Sequence, residues 1–73
     1  MSVVGIFYLR GGQVIKETVK MPSTFSILET EQELALWKVE FEKRVMTRQD
    51  LLSFGTVCIR LADVSAAVFK RGR

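Results

Sequence analysis

Gly11-Gly12 is the feature that most restricts what this chain can fold into. The pair stands between two runs rich in branched and aromatic residues, 3–10 and 13–20, and that composition suits strands. Two glycines reach positive φ without steric cost, which a tight two-residue hairpin turn demands. The spacing therefore predicts a β-hairpin over 3–10 and 13–20. A two-residue loop sets Arg10 opposite Gln13, Leu9 opposite Val14 and Tyr8 opposite Ile15. One face then carries Val4, Ile6, Tyr8, Ile15 and Val19, and is the expected core face. The reverse carries Val3, Phe7, Leu9, Val14, Lys16, Thr18 and Lys20. Strands apolar on both sides are usually covered on both sides, so Phe7, Leu9 and Val14 are read as a patch awaiting another subunit. Glu17 is the anomaly of the expected core face, opposite Ile6. An edge position or a bulge accounts for it most simply; an inward charge kept for a basic residue or a partner is the functional account.

Pro22 ends the hairpin, because proline cannot donate to a ladder. Thr30-Glu31-Gln32-Glu33 fits a capping box, and Ser26 with Glu29 fits one four residues earlier. Leu34, Trp37, Phe41 and Val45 follow helical spacing, whereas residues 37–42 also alternate as a strand would. Helix-forming composition, the cap signal, early glutamates and the late Lys43-Arg44 favour a helix over 31–46. As a helix it carries a second apolar strip, Ala35, Val39 and Met46 with Leu36 beside it, which one small sheet does not need. Trp37 reads as a core anchor. Beyond a polar connection, 51–54, 56–61 and 64–69 read as short strands, with a bend at Gly55 and a break at Ala62-Asp63. Arg60 and Asp63 bracket that break; a local salt bridge between them is the simpler reading, and a recognition role for Arg60 is the functional one. The order β-β-α-β-β(-β) implies an α+β fold of two layers, one antiparallel sheet with the helix packed on it. Residues 1–69 form the domain and 70–73 a basic C-terminal tail.

A domain of 73 residues hides only about 60% of its unfolded surface and is marginal without staples. The single cysteine and the lack of histidine remove internal disulfides, multi-cysteine zinc sites and the commonest general base. Cys58, inside an apolar run, reads as a reduced core thiol. Met1 is followed by a strand-like run without a basic leader, so a cytoplasmic location is expected. No apolar run approaches the ~20 residues of a membrane span.

Catalysis needs a nucleophile, base or metal held in a pocket, and this composition favours none of them. No catalytic residue, metal or cofactor is assigned. Gly11-Gly12 lacks the following helix and lysine of a phosphate loop. Nucleic acid is the more serious candidate. Arg10, Lys16 and Lys20 lie on the hairpin and Lys70, Arg71 and Arg73 in the tail, where they can meet phosphates. The three tail cations account for the whole net charge of +3, however, and five glutamates crowd 29–42. Phe7 and Tyr8 face opposite ways, so they cannot form one stacking platform.

The helix, then Leu52-Ser53-Phe54-Gly55, then Ile59-Arg60-Leu61-Ala62-Asp63-Val64, resembles the arrangement in small proteins carried by bacteria and their phages. The resemblance covers about the last 40 residues. It implies no activity; an accessory role of bacterial or phage type, as inhibitor or adaptor of a host protein, belongs to the expected function. Together these readings predict a non-catalytic protein-interaction module that self-associates, most simply as a dimer, through Phe7, Leu9, Val14, Ala35, Leu36, Val39 and Met46. A nucleic-acid-binding accessory protein is the first alternative. A small-ligand binder with its pocket between subunits is the second.

Overall fold

The computed structural model describes residues 1–72. Strands β1 (Ser2–Leu9) and β2 (Val14–Lys20) are followed by helix α1 (Ile27–Met46). Strands β3 (Leu51–Phe54) and β4 (Val57–Arg60), a single 3-10 turn at Leu61–Asp63 and strand β5 (Val64–Gly72) complete the chain. The fold is α+β with every strand pair antiparallel. Where the sequence implies one sheet, the strands divide between two: β2-β1-β5, and the hairpin β3-β4.

The first hairpin exists, but its turn differs from the expected one. Gly12 N–H donates to the Leu9 carbonyl at 3.0 Å and Leu9 N–H to the Gln13 carbonyl at 2.8 Å. Arg10, Gly11 and Gly12 thus form a three-residue loop, and only Gly12 takes a positive φ, 90°. This is the turn-plus-left-handed-residue solution. It moves the register by one residue: Phe7 faces Ile15 and Tyr8 faces Val14. A one-residue slip exchanges the faces of a strand. Ile15 and Val19 stay inside as expected, while β1 turns Val3, Gly5 and Phe7 inward and Tyr8 outward. Phe7 is not an interface residue; it is fully buried. The physical reason is that Phe7 has no polar atom to satisfy, whereas a buried Tyr8 hydroxyl needs a partner.

Phe7, Phe54 and Phe69 meet at the centre, with ring centroids 5.6–5.9 Å apart. Trp37 lies 4.8 Å from the Phe54 ring and Phe41 lies 6.1 Å from Phe69. Gly5 makes this possible: a Cβ there would stand 2.9 Å from Phe54 Cε1. Leu34, Leu52, Ile59, Leu61 and Val64 complete the core, and Leu9, Ile15 and Val19 pack against it.

Helix α1 starts at the earlier of the two capping signals. Glu29 N–H donates to Ser26 Oγ at 3.2 Å, and Ser26 N–H reaches Glu29 Oε1 at 3.4 Å. The alternation in 37–42 does not make a strand, because helix propensity and caps agree over the whole segment. Arg44 joins the helix end to β3, with Nε 2.7 Å from Glu40 Oε1 and Nη1 donating to the Leu51 carbonyl at 3.1 Å.

Two further expectations change. Cys58 is exposed, not a core thiol, since β4 turns its neighbour Ile59 inward. Lys70, Arg71 and Gly72 are not a tail; they are the end of β5, paired with β1 from Ser2 to Val4. Arg73 lies outside the described residues.

Candidate interaction surface

The surface is built on the side of α1 that faces away from the sheets. Thr30, Leu34, Trp37 and Phe41 occupy the inward side. Residues three to four apart share a helical face, so Leu28, Gln32, Ala35, Val39, Glu42 and Met46 run along the opposite side, with Leu36 at its margin. Leu36 is 63% exposed, Val39 62% and Met46 81%. Ala35 and Leu28 are exposed as well. Leu36, Trp37 and Val39 line a shallow groove between Glu33, Glu40 and Lys43. Four of the predicted interface residues, Ala35, Leu36, Val39 and Met46, therefore lie together on one uncovered face.

The three predicted on the hairpin do not. Phe7 is core, Leu9 is half-buried against the core, and Val14 stands exposed on the outer face of the three-stranded sheet. That outer face is formed by the residues of even number. Tyr8, Ile6 and Val4 run down the central strand, beside Val14, Lys16, Thr18 and Lys20 on β2 and Ala66, Val68 and Lys70 on β5. Tyr8, Val14 and Val68 are exposed there. Three of the predicted nucleic-acid contacts, Lys16, Lys20 and Lys70, thus share one face without an acidic neighbour among its strand residues. The others are engaged elsewhere or not placed. Arg10 donates from Nε to the Ala62 carbonyl at 2.9 Å and pins the 3-10 turn. Arg71 lies on the inner row, 3.6 Å from Glu31 Oε1. No ion pair joins Arg60 to Asp63 among the described residues; Arg10 N–H instead bonds the Asp63 carbonyl at 2.8 Å.

Glu17 faces inward, opposite Gly5 and on the edge strand β2. Its carboxylate accepts from Thr56 Oγ1 at 2.5 Å and Thr56 N–H at 3.0 Å, and from Thr18 N–H at 3.1 Å. The Thr56 hydroxyl and amide, with the Thr18 amide, hold its pKa below the ordinary 4.5. Gly55 gives the carboxylate room, since a Cβ there would lie 2.9 Å from Glu17 Cγ. Glu17 is therefore a clasp between the two hairpins.

By sequence Ile27 and Leu28 read as apolar anchors of the connection after Pro22, but both are exposed on the first turn of α1. The Ser26–Glu29 signal was the one that could have included them. Sequence reasoning missed the outer row of Tyr8 and Val68, which depends on the register. Among the described residues no group of His, Cys, Asp and Glu could hold a metal ion, and no helix is long and apolar enough to cross a membrane. Another open groove lies between α1 and β5 beside Lys38, Phe41 and Phe69. No protein-family model, curated protein or solved structure matches this chain.

Proposed function

We propose that the protein is a small non-catalytic interaction module that associates with copies of itself through the outer face of α1. The observation that carries this reading is the exposed outer row of α1, with Ala35, Leu36 and Val39 adjoining at its middle and Leu28 and Met46 beyond Gln32 and Glu42 at its ends. Scattered exposed apolar residues are ordinary, but a contiguous patch marks an interaction surface. A chain whose single cysteine allows no internal disulfide gains stability by covering it. A cytoplasmic setting suits an exposed single thiol, since secreted domains of this size depend on disulfides. The test is sedimentation across concentration on the full chain and on Val39→Glu. The wild type should shift from monomer to dimer as concentration rises, and the variant should stay monomeric while keeping its circular dichroism spectrum. A wild type monomeric up to millimolar concentration ends the self-association reading.

A second reading rests on the outer sheet face, which carries Tyr8 with Lys16 at the next outward position of β2, and Lys70 and Lys20 farther along, opposite Val4 and Ser2. Basic residues and an exposed aromatic ring on one sheet face suit single-stranded nucleic acid, whose binding weakens steeply with salt. If this face binds an oligonucleotide, Lys16→Glu with Lys70→Glu lowers the affinity and flattens its salt dependence. Salt-independent binding, or none, removes it.

A further inference from the structure

We infer that the second copy docks antiparallel, helix α1 against helix α1, with Leu28 of each copy meeting Met46 of the other. This rests on the self-association reading and adds its geometry. The outer row of α1, residues 28, 32, 35, 39, 42 and 46, repeats with the four-three spacing of a helix–helix seam. Run antiparallel about a two-fold axis, the row pairs with itself in three kinds of layer. Leu28 meets Met46, Gln32 meets Glu42, and Ala35 meets Val39. Each layer joins compatible partners: two exposed apolar side chains, an amide donor with a carboxylate, and a small residue with a branched one. Two-fold symmetry makes every layer occur twice, which is how an isologous interface closes.

Charge along the helix selects the same direction. Its first turn holds Glu29 and its last turn Lys43 and Arg44. Antiparallel docking lays Glu29 beside Lys43 of the other copy on the margin that also brings the two Leu36 side chains together at the axis. Parallel docking would instead bring Lys38 of one copy beside Lys43 of the other, and would lay the two helix dipoles side by side in the same direction. On the opposite margin the two Lys38 side chains approach each other. Glu42, one turn along on the same helix, supplies counter-charge to each. Glu29 keeps its capping role, because Ser26 uses only Oε1, which leaves Oε2 for the lysine. None of the seam residues is needed by the core, so the interface forms without unfolding the monomer.

The experiment is cysteine cross-linking of the full chain with a short bis-maleimide, in a Cys58→Ser background that removes the native exposed thiol. Leu28→Cys and Met46→Cys proteins are treated separately and as a mixture, at a concentration where sedimentation gives dimer. The ends of the helix are roughly 27 Å apart at 1.5 Å per residue. Cross-linked dimer is expected in the mixture at least about tenfold above either protein alone. Strong cross-linking of Leu28→Cys with itself, or equal yields in all three samples, overturns the antiparallel arrangement while self-association stands. Lys43→Glu should weaken the dimer, and adding Glu29→Gln, which keeps the capping acceptor, should recover part of the loss. A dimer indifferent to both changes also overturns the docking. Absence of any dimer by sedimentation removes the underlying reading instead.

Discussion

Gly5→Ala places a single methyl group at the point where the two layers touch. Its outcome is decided by two opposed effects. Restricting the unfolded chain favours alanine by about 0.4–1 kcal/mol when the native site accepts a Cβ. Here the site does not accept it. The added carbon would lie 2.9 Å from Phe54 Cε1, 3.1 Å from Phe54 Cζ and 3.1 Å from Phe7 Cε2. Neither ring can swing aside, because both are fully buried and Phe54 is also braced by Trp37 and Phe69. Overpacking of this kind costs about 1–3 kcal/mol, so the net change is a loss of about 1–2 kcal/mol. In a domain of this size total stability is roughly 4–11 kcal/mol, and the midpoint should fall by about 4–15 °C. Thermal and urea unfolding followed by Trp37 fluorescence suits the purpose, since this lone tryptophan touches the displaced ring. In the double variant Gly5→Ala with Phe54→Leu, the smaller side chain makes room and the two losses should fall short of additive by at least about 0.5 kcal/mol. An alanine variant as stable as the wild type, or strictly additive losses, would refute the packing argument.

Further expectations concern the caps, the clasp and the thiol. Ser26→Ala removes the cap of α1 and should lower stability by about 1 kcal/mol, with faster amide exchange confined to the first turn; exchange accelerated along the whole helix would contradict a local role. Glu17 has a folded-state pKa below its ordinary 4.5, so its contribution is present above that value and is lost as pH falls through the folded one. Glu17→Gln should therefore flatten the acid limb of stability against pH, measured as urea midpoints from pH 7 to 3. A gap between the two proteins that does not change with pH would dismiss the clasp as an ionised acceptor. Cys58 is exposed in the folded chain, so a maleimide should label it in native buffer nearly as fast as in denaturant; protection of more than about tenfold would place it inside.

Much of the fold is written in local pattern, and what is not is written in packing. The helix, the bend at Gly55 and the break before β5 follow from caps, glycine and periodicity, each readable within a few residues. The register of the first hairpin is different. Val4, Ile6 and Tyr8 against Val3, Phe7 and Leu9 offer two apolar faces of similar quality, and a slip of one residue exchanges them. Only the partners settle the choice: Phe54 needs the gap at Gly5, and Glu17 must reach Thr56. Cys58 was unreadable for the same reason, because β4 is apolar at successive positions and the inward one is named by Leu52 across the hairpin. The end of β5 looks like a basic tail by composition, yet alternation sends Lys70 outward and brings Arg71 to Glu31. The outer helix strip was legible because it follows from periodicity alone; the hairpin patch depended on register and fell with it.

The two apolar sides of α1 differ in kind, and that difference bears on what each one packs against. The inner side presents Leu34, Trp37 and Phe41, large side chains that fill the space above a sheet. The outer side presents Ala35, Val39 and Met46, short or pliable side chains suited to helices whose axes approach within 8–10 Å. A lone molecule gains nothing from the outer side, so at high dilution Val39→Glu should leave the unfolding free energy within about 0.5 kcal/mol of wild type. Association changes this. A dimer that forms only from folded chains adds stability with each increase in protein concentration. The wild-type midpoint should then climb steadily over a hundredfold concentration series, while that of Val39→Glu stays level. Two parallel flat lines would mean that the outer strip contributes nothing to holding copies together, whatever its composition suggests.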